Sequence, residues 1–199
     1  MKILNICIAG LGNVGSHVVK SIIENKQYVI DKSQINFKIV GISAENKTKK
    51  RIINIEKLNW VENPLDLLDI KSCNVFIELI GEEKGLSFEL IKKALVNKIH
   101  VVTANKALLS KHGDELFKLA DHNNVLLLFE AAVAGGIPII KVLKQTIFLN
   151  KIKKISGILN GTTNFILSEM ENKNLNFEDV LKIAKTNGFA ELDSTNDIE

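Results

Sequence analysis

Residues 10–15, GLGNVG, set Gly10, Gly12 and Gly15 in a GxGxxG spacing directly after an apolar run and before a helical pattern. In that context each glycine has a task. The first permits a tight turn, the second lets backbone approach a pyrophosphate, and the third lets a helix pack closely on a strand. Asn13 and Val14 lie between them, where freed N–H groups at a helix start would face phosphate oxygens with the help of the helix dipole. Farther on, HVVTANKALLS (100–110) carries Lys106 just past another apolar run. Ligands of doubly wound sheets bind outside the carboxyl ends of the strands, so Thr103 and Lys106 belong at that edge. Hydride addition to a carbonyl leaves an alkoxide, and a lysine can supply either a cation or a proton there. Position alone equally allows a Lys106 that begins a helix with its charge in water.

The segment GISAENKTKKR (41–51) should close the second strand near an adenosine ribose. Ser43 and Lys47, with Lys49, Lys50 and Arg51, suit a 2′-phosphate, whereas Glu45 suits a 2′-hydroxyl. The cations weigh toward NADP(H) over NAD(H).

These residues need a scaffold, and the remaining pattern supplies one. Apolar runs at 3–9, 37–43, 74–80, 100–104 and 125–131 read as strands. Helical spacing separates most of them: Val14, Val18, Ile22 and Ile23 in 13–26, Leu86, Leu90, Ile91, Ala94 and Leu95 in 86–98, and Leu116, Leu119 and Ala120 after Lys106. Residues 46–60 look irregular, with a weak helix near 64–70. The alternation predicts an α/β fold, a doubly wound parallel sheet of Rossmann type. It covers residues 1–138. Beyond AGGIP the pattern changes, and residues 139–199 read as the beginning of an α+β substrate and dimerisation domain. There we expect a helix at Ile139–Ile147, a strand at 152–159, and helices near 162–171 and 177–187.

Among 199 residues the net charge is only +3, and Lys49-Lys50-Arg51 is the one tight basic run, so no nucleic-acid partner is expected. No apolar stretch reaches the length of a membrane span, and the N-terminal run reads as a strand rather than a signal peptide. Cys7 and Cys73 lack metal-ligand spacing and read as reduced core thiols of a cytoplasmic protein.

VVTANKALLS, FEAAVAGGIPII (129–140), SGILNGTTNFIL (156–167) and GFAELDSTND (188–197), in this order behind GLGNVG, resemble homoserine dehydrogenase over essentially the whole chain. The resemblance implies an oxidoreductase of threonine and methionine biosynthesis that interconverts L-aspartate 4-semialdehyde and L-homoserine with NAD(P)H. It implies that Lys106 lies at the nicotinamide and the reacting carbon. It assigns a monovalent cation, Na+, to Glu130 and to Val133, Gly135 and Ile137, through oxygen ligands fitted to a hard ion. Gly188 would bring backbone to the cofactor, and Glu191 would bind the substrate amino group. Asn160 and Thr162 would make polar substrate contacts, although a threonine at a helix start also serves as an N-cap. Asp193 and Asp197 share the acidic loop and read as turn formers.

The pattern departs from the family at IELIGEEKG (77–85), where Gly81 is present and Glu82 replaces a second glycine. The family's later aspartate and donor lysine would fall beyond Glu199. The chain is therefore expected to be a fragment or a shortened product of an enzyme that forms homo-oligomers. The alternative is a non-catalytic dinucleotide-binding or dimerising module.

Overall fold

The computed structural model describes residues 1–81, 85–146, 150–158 and 160–190. It divides into two compact units, Met1–Ile140 and Lys141–Glu199.

The first unit begins with β1 (Lys2–Ala9), α1 (Asn13–Glu24), α2 (Lys26–Ser33) and β2 (Ile35–Ser43). After a 3₁₀ turn at Pro64–Asp69 come β3 (Val75–Glu78), α3 (Leu86–Val96), β4 (His100–Thr103), α4 (Lys106–His122) and β5 (Leu127–Leu128). The sheet order is β2-β1-β3-β4-β5, with every pair parallel. The predicted doubly wound sheet is therefore present.

The alternation of β1 explains why both faces are covered. Ile6 and Ile8 face one core with Leu11, Val19 and Ile42, while Cys7 and Ala9 face the other with Phe76, Leu90 and Val101. On that second face a Cβ at Gly41 would approach Ile70 and Leu67 side-chain carbons at 2.7 and 2.8 Å, so glycine lets the 3₁₀ turn close on β2. Cys7 and Cys73 are both free thiols in this core. A hydrogen bond with Cys73, then burial, pushes the Cys7 thiol up.

In this unit the structure departs from the sequence reading in three places. The helical stripe on α1 is turned: Val14 and Ile23 are exposed, and Gly15, Ser16 and Val19 are the buried line. The strand expected at 125–131 pairs only at Leu127–Leu128, because the chain turns at Phe129 into short 3₁₀ turns at Glu130–Ala132 and Ala134–Gly136. The helix Lys26–Ser33 escapes the sequence reading because it buries none of its residues.

Helix α5 (Ile139–Thr146) follows, and the second unit contains α6 (Gly161–Lys173) and α7 (Phe177–Thr186). Ile166, Val180, Ala184 and Ala190 form its core. Residues 151–158 are irregular and exposed, not the expected strand. An isolated strand has no ladder to complete it, and the described residues of this unit contain only helices. Among the described residues no helix is long and apolar enough to cross a membrane.

Candidate active site

The glycine turn sits where the sheet order reverses, between the carboxyl ends of β1 and β3. The Gly10 N–H donates to Ser43 O at 2.9 Å, and Leu79 N–H donates to Ala9 O at 2.8 Å. Gly10 has φ +95°, and a Cβ there would lie 2.4 Å from Leu79 O. A Cβ on Gly15 would lie 1.9 Å from Gly10 O. Gly12 is different: none of the described residues stands within 4 Å of its Cβ position. Gly12 is also the N-cap of α1 and makes no side-chain cap, so the first turn of N–H groups opens onto that space. The residues present fit a dinucleotide pyrophosphate.

At the end of β2, Ser43 is 1% exposed and its Oγ has no hydrogen-bond partner among the described residues. The neighbouring basic loop is organised by Arg51. Its guanidinium donates to the carbonyls of Leu11, Asn46, Lys47 and Lys49, which ties residues 46–51 to the glycine turn. Lys47 instead stands 3.7 Å from Glu62 and 5.6 Å from the Trp60 ring centroid. A cavity of about 300 Å³ lies between Gly12, Asn13 and His17 on one side and Lys49, Lys50 and Arg51 on the other. Glu45 is exposed.

Lys106 is the first residue of α4 and is exposed. Its neighbour Asn105 is buried and caps the helix, accepting from Leu108 N–H at 3.0 Å. Thr103, which the sequence placed at the cofactor, ends β4, and its hydroxyl donates to Glu78 Oε2 at 2.6 Å. Gly81, at φ +89°, lies in the loop after β3, and none of the described residues stands within 4 Å of its Cβ position. Glu82 lies outside the described residues.

In the cation segment, Glu130 Oε1 accepts from Ile140 N–H at 3.0 Å, so the carboxylate serves the start of α5. Gly135, at φ +56°, and Ala134, at φ +53°, fold the turn that holds Val133 and Ile137. No group of three or more His, Cys, Asp or Glu that could hold a metal ion occurs among the described residues. One carboxylate with carbonyl oxygens is a ligand set for a hard cation rather than a soft one.

Within the second unit, Asn160 caps α6 by accepting from Thr163 N–H at 3.0 Å, so the cap is the asparagine and not a threonine. Thr162 Oγ1 donates to Phe189 O at 2.8 Å, which brings it beside Gly188 at φ +74°. Glu191, Asp193 and Asp197 lie outside the described residues. Sequence reasoning missed Glu78, although an acid closing an otherwise apolar strand was a visible signal.

Residues 10–130 match the family model for the NAD-binding domain of homoserine dehydrogenase, and residues 138–199 match the homoserine dehydrogenase model. The homoserine dehydrogenase of Neisseria gonorrhoeae is 44% identical over 100% of this chain and 45% of its own length. The crystal structure of the Thiobacillus denitrificans enzyme superposes with a TM-score of 0.88 at 40% identity, over 100% of this chain and 46% of that one. A hyperthermophilic archaeal homoserine dehydrogenase in complex with NADPH gives a TM-score of 0.82 at 27% identity, over 98% of this chain and 65% of that one. This chain thus spans about 45% of the length of the curated relatives it matches. By both family models and by these relatives, the chain belongs to the homoserine dehydrogenase family.

Proposed function

We propose that the chain is the cofactor-binding part of an enzyme that interconverts L-aspartate 4-semialdehyde and L-homoserine with NADP(H). One observation carries the reading. The open cradle at Gly12 and the start of α4 at Lys106 both lie at the carboxyl edge of one parallel sheet. NADPH supplies a hydride. Gly10, Gly12, Asn13, Val14 and Gly15 hold the pyrophosphate, Gly81 bounds the nicotinamide side, and Lys106 places positive charge where the carbonyl oxygen becomes an alkoxide. Asn160, Thr162 and Glu191 are the proposed substrate contacts, and Gly188 a proposed backbone contact to the cofactor. Glu130, with carbonyls of Val133, Gly135 and Ile137, is the proposed Na+ site. A homo-oligomer and a cytoplasmic location belong to the same proposal. The test is NADPH-dependent reduction of aspartate 4-semialdehyde by residues 1–199. Turnover supports the catalytic reading. Cofactor binding without turnover supports instead a non-catalytic dinucleotide-binding module.

The preference for NADP(H) rests on Lys49 and Lys50, since Arg51 is occupied by carbonyls and Lys47 faces Glu62. Exchanging Lys49 and Lys50 together for alanine is expected to weaken NADPH binding about tenfold, from two partly screened charge contacts. NADH binding should change little. Trp60, the single tryptophan, lies against this loop and its fluorescence reports both titrations. Equal losses for the two cofactors would remove the preference.

At the cation segment, Glu130→Ala is expected to lower stability by about 1 kcal/mol through loss of its contact to the start of α5. It should also abolish any rise in Tm when NaCl replaces an impermeant organic salt. An identical Na+ response in the variant would place the ion elsewhere.

A further inference from the structure

Glu78 closes β3 and is 0% exposed. A carboxylate withdrawn from water is costly unless its oxygens are satisfied. Here Oε1 accepts from Ile80 N–H at 2.8 Å, from Gly81 N–H at 3.2 Å and from the Ser87 hydroxyl at 3.1 Å. Oε2 accepts from the Thr103 hydroxyl at 2.6 Å. The Thr103 oxygen in turn accepts from Asn105 N–H at 3.0 Å. Ile80 N–H, Gly81 N–H and the two hydroxyls all donate to the carboxyl group, so both of its oxygens are satisfied without water.

These bonds do not serve one element. They join the loop after β3, the first turn of α3, the end of β4 and the cap residue of α4. On its other side the loop after β3 is fixed to the glycine turn, through Leu79 N–H on Ala9 O and the close contact of Gly10 with Leu79 O. A dinucleotide that places its adenosine over β2 and crosses at the reversal between β1 and β3 must carry its nicotinamide toward β3 and β4. Those are the two strand ends that Glu78 connects.

Resting on the proposed dinucleotide reading, we infer that Glu78 is the positioning residue of the nicotinamide half of the site. It sets the height of the Ile80–Gly81 backbone with one oxygen. With the other it sets, through Thr103 and Asn105, the helix start that carries Lys106. It touches neither cofactor nor substrate.

The test compares two ligands that differ only in the nicotinamide: NADPH and 2′-phospho-ADP-ribose. Glu78→Gln keeps the shape but turns one oxygen into an N–H₂ group among donors. It is expected to weaken NADPH about tenfold, as for one disrupted charge-assisted hydrogen bond, while 2′-phospho-ADP-ribose stays within about twofold. Thr103→Val cuts only the arm to Asn105 and leaves the bonds to Oε1. It should shift the same ratio in the same direction, and it decides the matter if the glutamine variant does not fold. A merely structural role lowers both affinities together, and that result, or an unchanged ratio in both variants, overturns the inference while NADPH binding by the unaltered protein stands. Failure of the unaltered protein to bind NADPH overturns the dinucleotide reading as well.

Discussion

Gly12→Ala is expected to leave the protein folded, with Tm lowered by no more than about 3 °C, and to weaken NADPH binding by roughly 10- to 100-fold. Gly12 has φ −71°, which alanine adopts, and none of the described residues stands within 4 Å of the added methyl. Among the described residues the methyl meets no partner, so its effect reports what lies against the N-terminus of α1. Gly15→Ala reverses the pattern. Its methyl would lie 1.9 Å from Gly10 O and 2.9 Å from Gly10 C. Gly10 cannot retreat, because its N–H is held by Ser43 O and its own α-carbon abuts Leu79 O. Overpacking against pinned backbone exceeds the usual loss of about 1–3 kcal/mol for an inserted methyl, so Tm should drop by roughly 6–12 °C. Thermal melts and a fluorescence titration of NADPH on both variants separate the two roles. NADPH binding by Gly12→Ala at full strength would mean that the glycine turn does not hold the dinucleotide.

That difference between Gly12 and Gly15 is also a measure of what the sequence can convey. The spacing of three glycines behind an apolar run announces the turn, since few other uses require them together. The consequence for α1 is hidden. Close approach at Gly15 rotates the helix so that Val19 is buried and Val14 is exposed, which the apolar periodicity alone does not give. Strands were legible where neighbours complete them, as in β1 between β2 and β3, and illegible at 151–158, where apolar alternation meets no described partner. The basic loop was legible as charge but not as a division of labour. Only the folded chain turns Arg51 onto four carbonyls and Lys47 onto Glu62, leaving Lys49 and Lys50 on the cavity. Glu78 and Thr103 are 25 residues apart, and no local rule links them. Their contact follows from the register of β3 on β4, in which Glu78 and Thr103 are direct partners.

Lys106→Met should abolish most of the chemistry while sparing the fold: a loss of about a thousandfold in kcat/KM, with Tm moved by no more than about 2 °C. Residue 106 is the first of α4, where the helix dipole presents its positive end, and a cation there is disfavoured by a few tenths of a kcal/mol to about 1 kcal/mol. The capping of α4 is done by Asn105, which the substitution leaves in place. A methionine keeps the length and the apolar stem and removes only the ammonium group. On the proposed function, what is lost is positive charge at the carboxyl edge of the sheet, where hydride addition would make an alkoxide. NADPH affinity should therefore stay within about threefold, since on the proposed function backbone N–H groups of α1 hold the pyrophosphate. Lys106→Arg should recover only part of the rate, because a planar fork carries the charge in a different place. The measurement is steady-state turnover of aspartate 4-semialdehyde, in the form of the enzyme that turns over, beside NADPH titration and a thermal melt of each variant. If the methionine variant keeps more than a tenth of the rate, Lys106 is a helix-start residue with its charge in water, and the alkoxide is stabilised by another group.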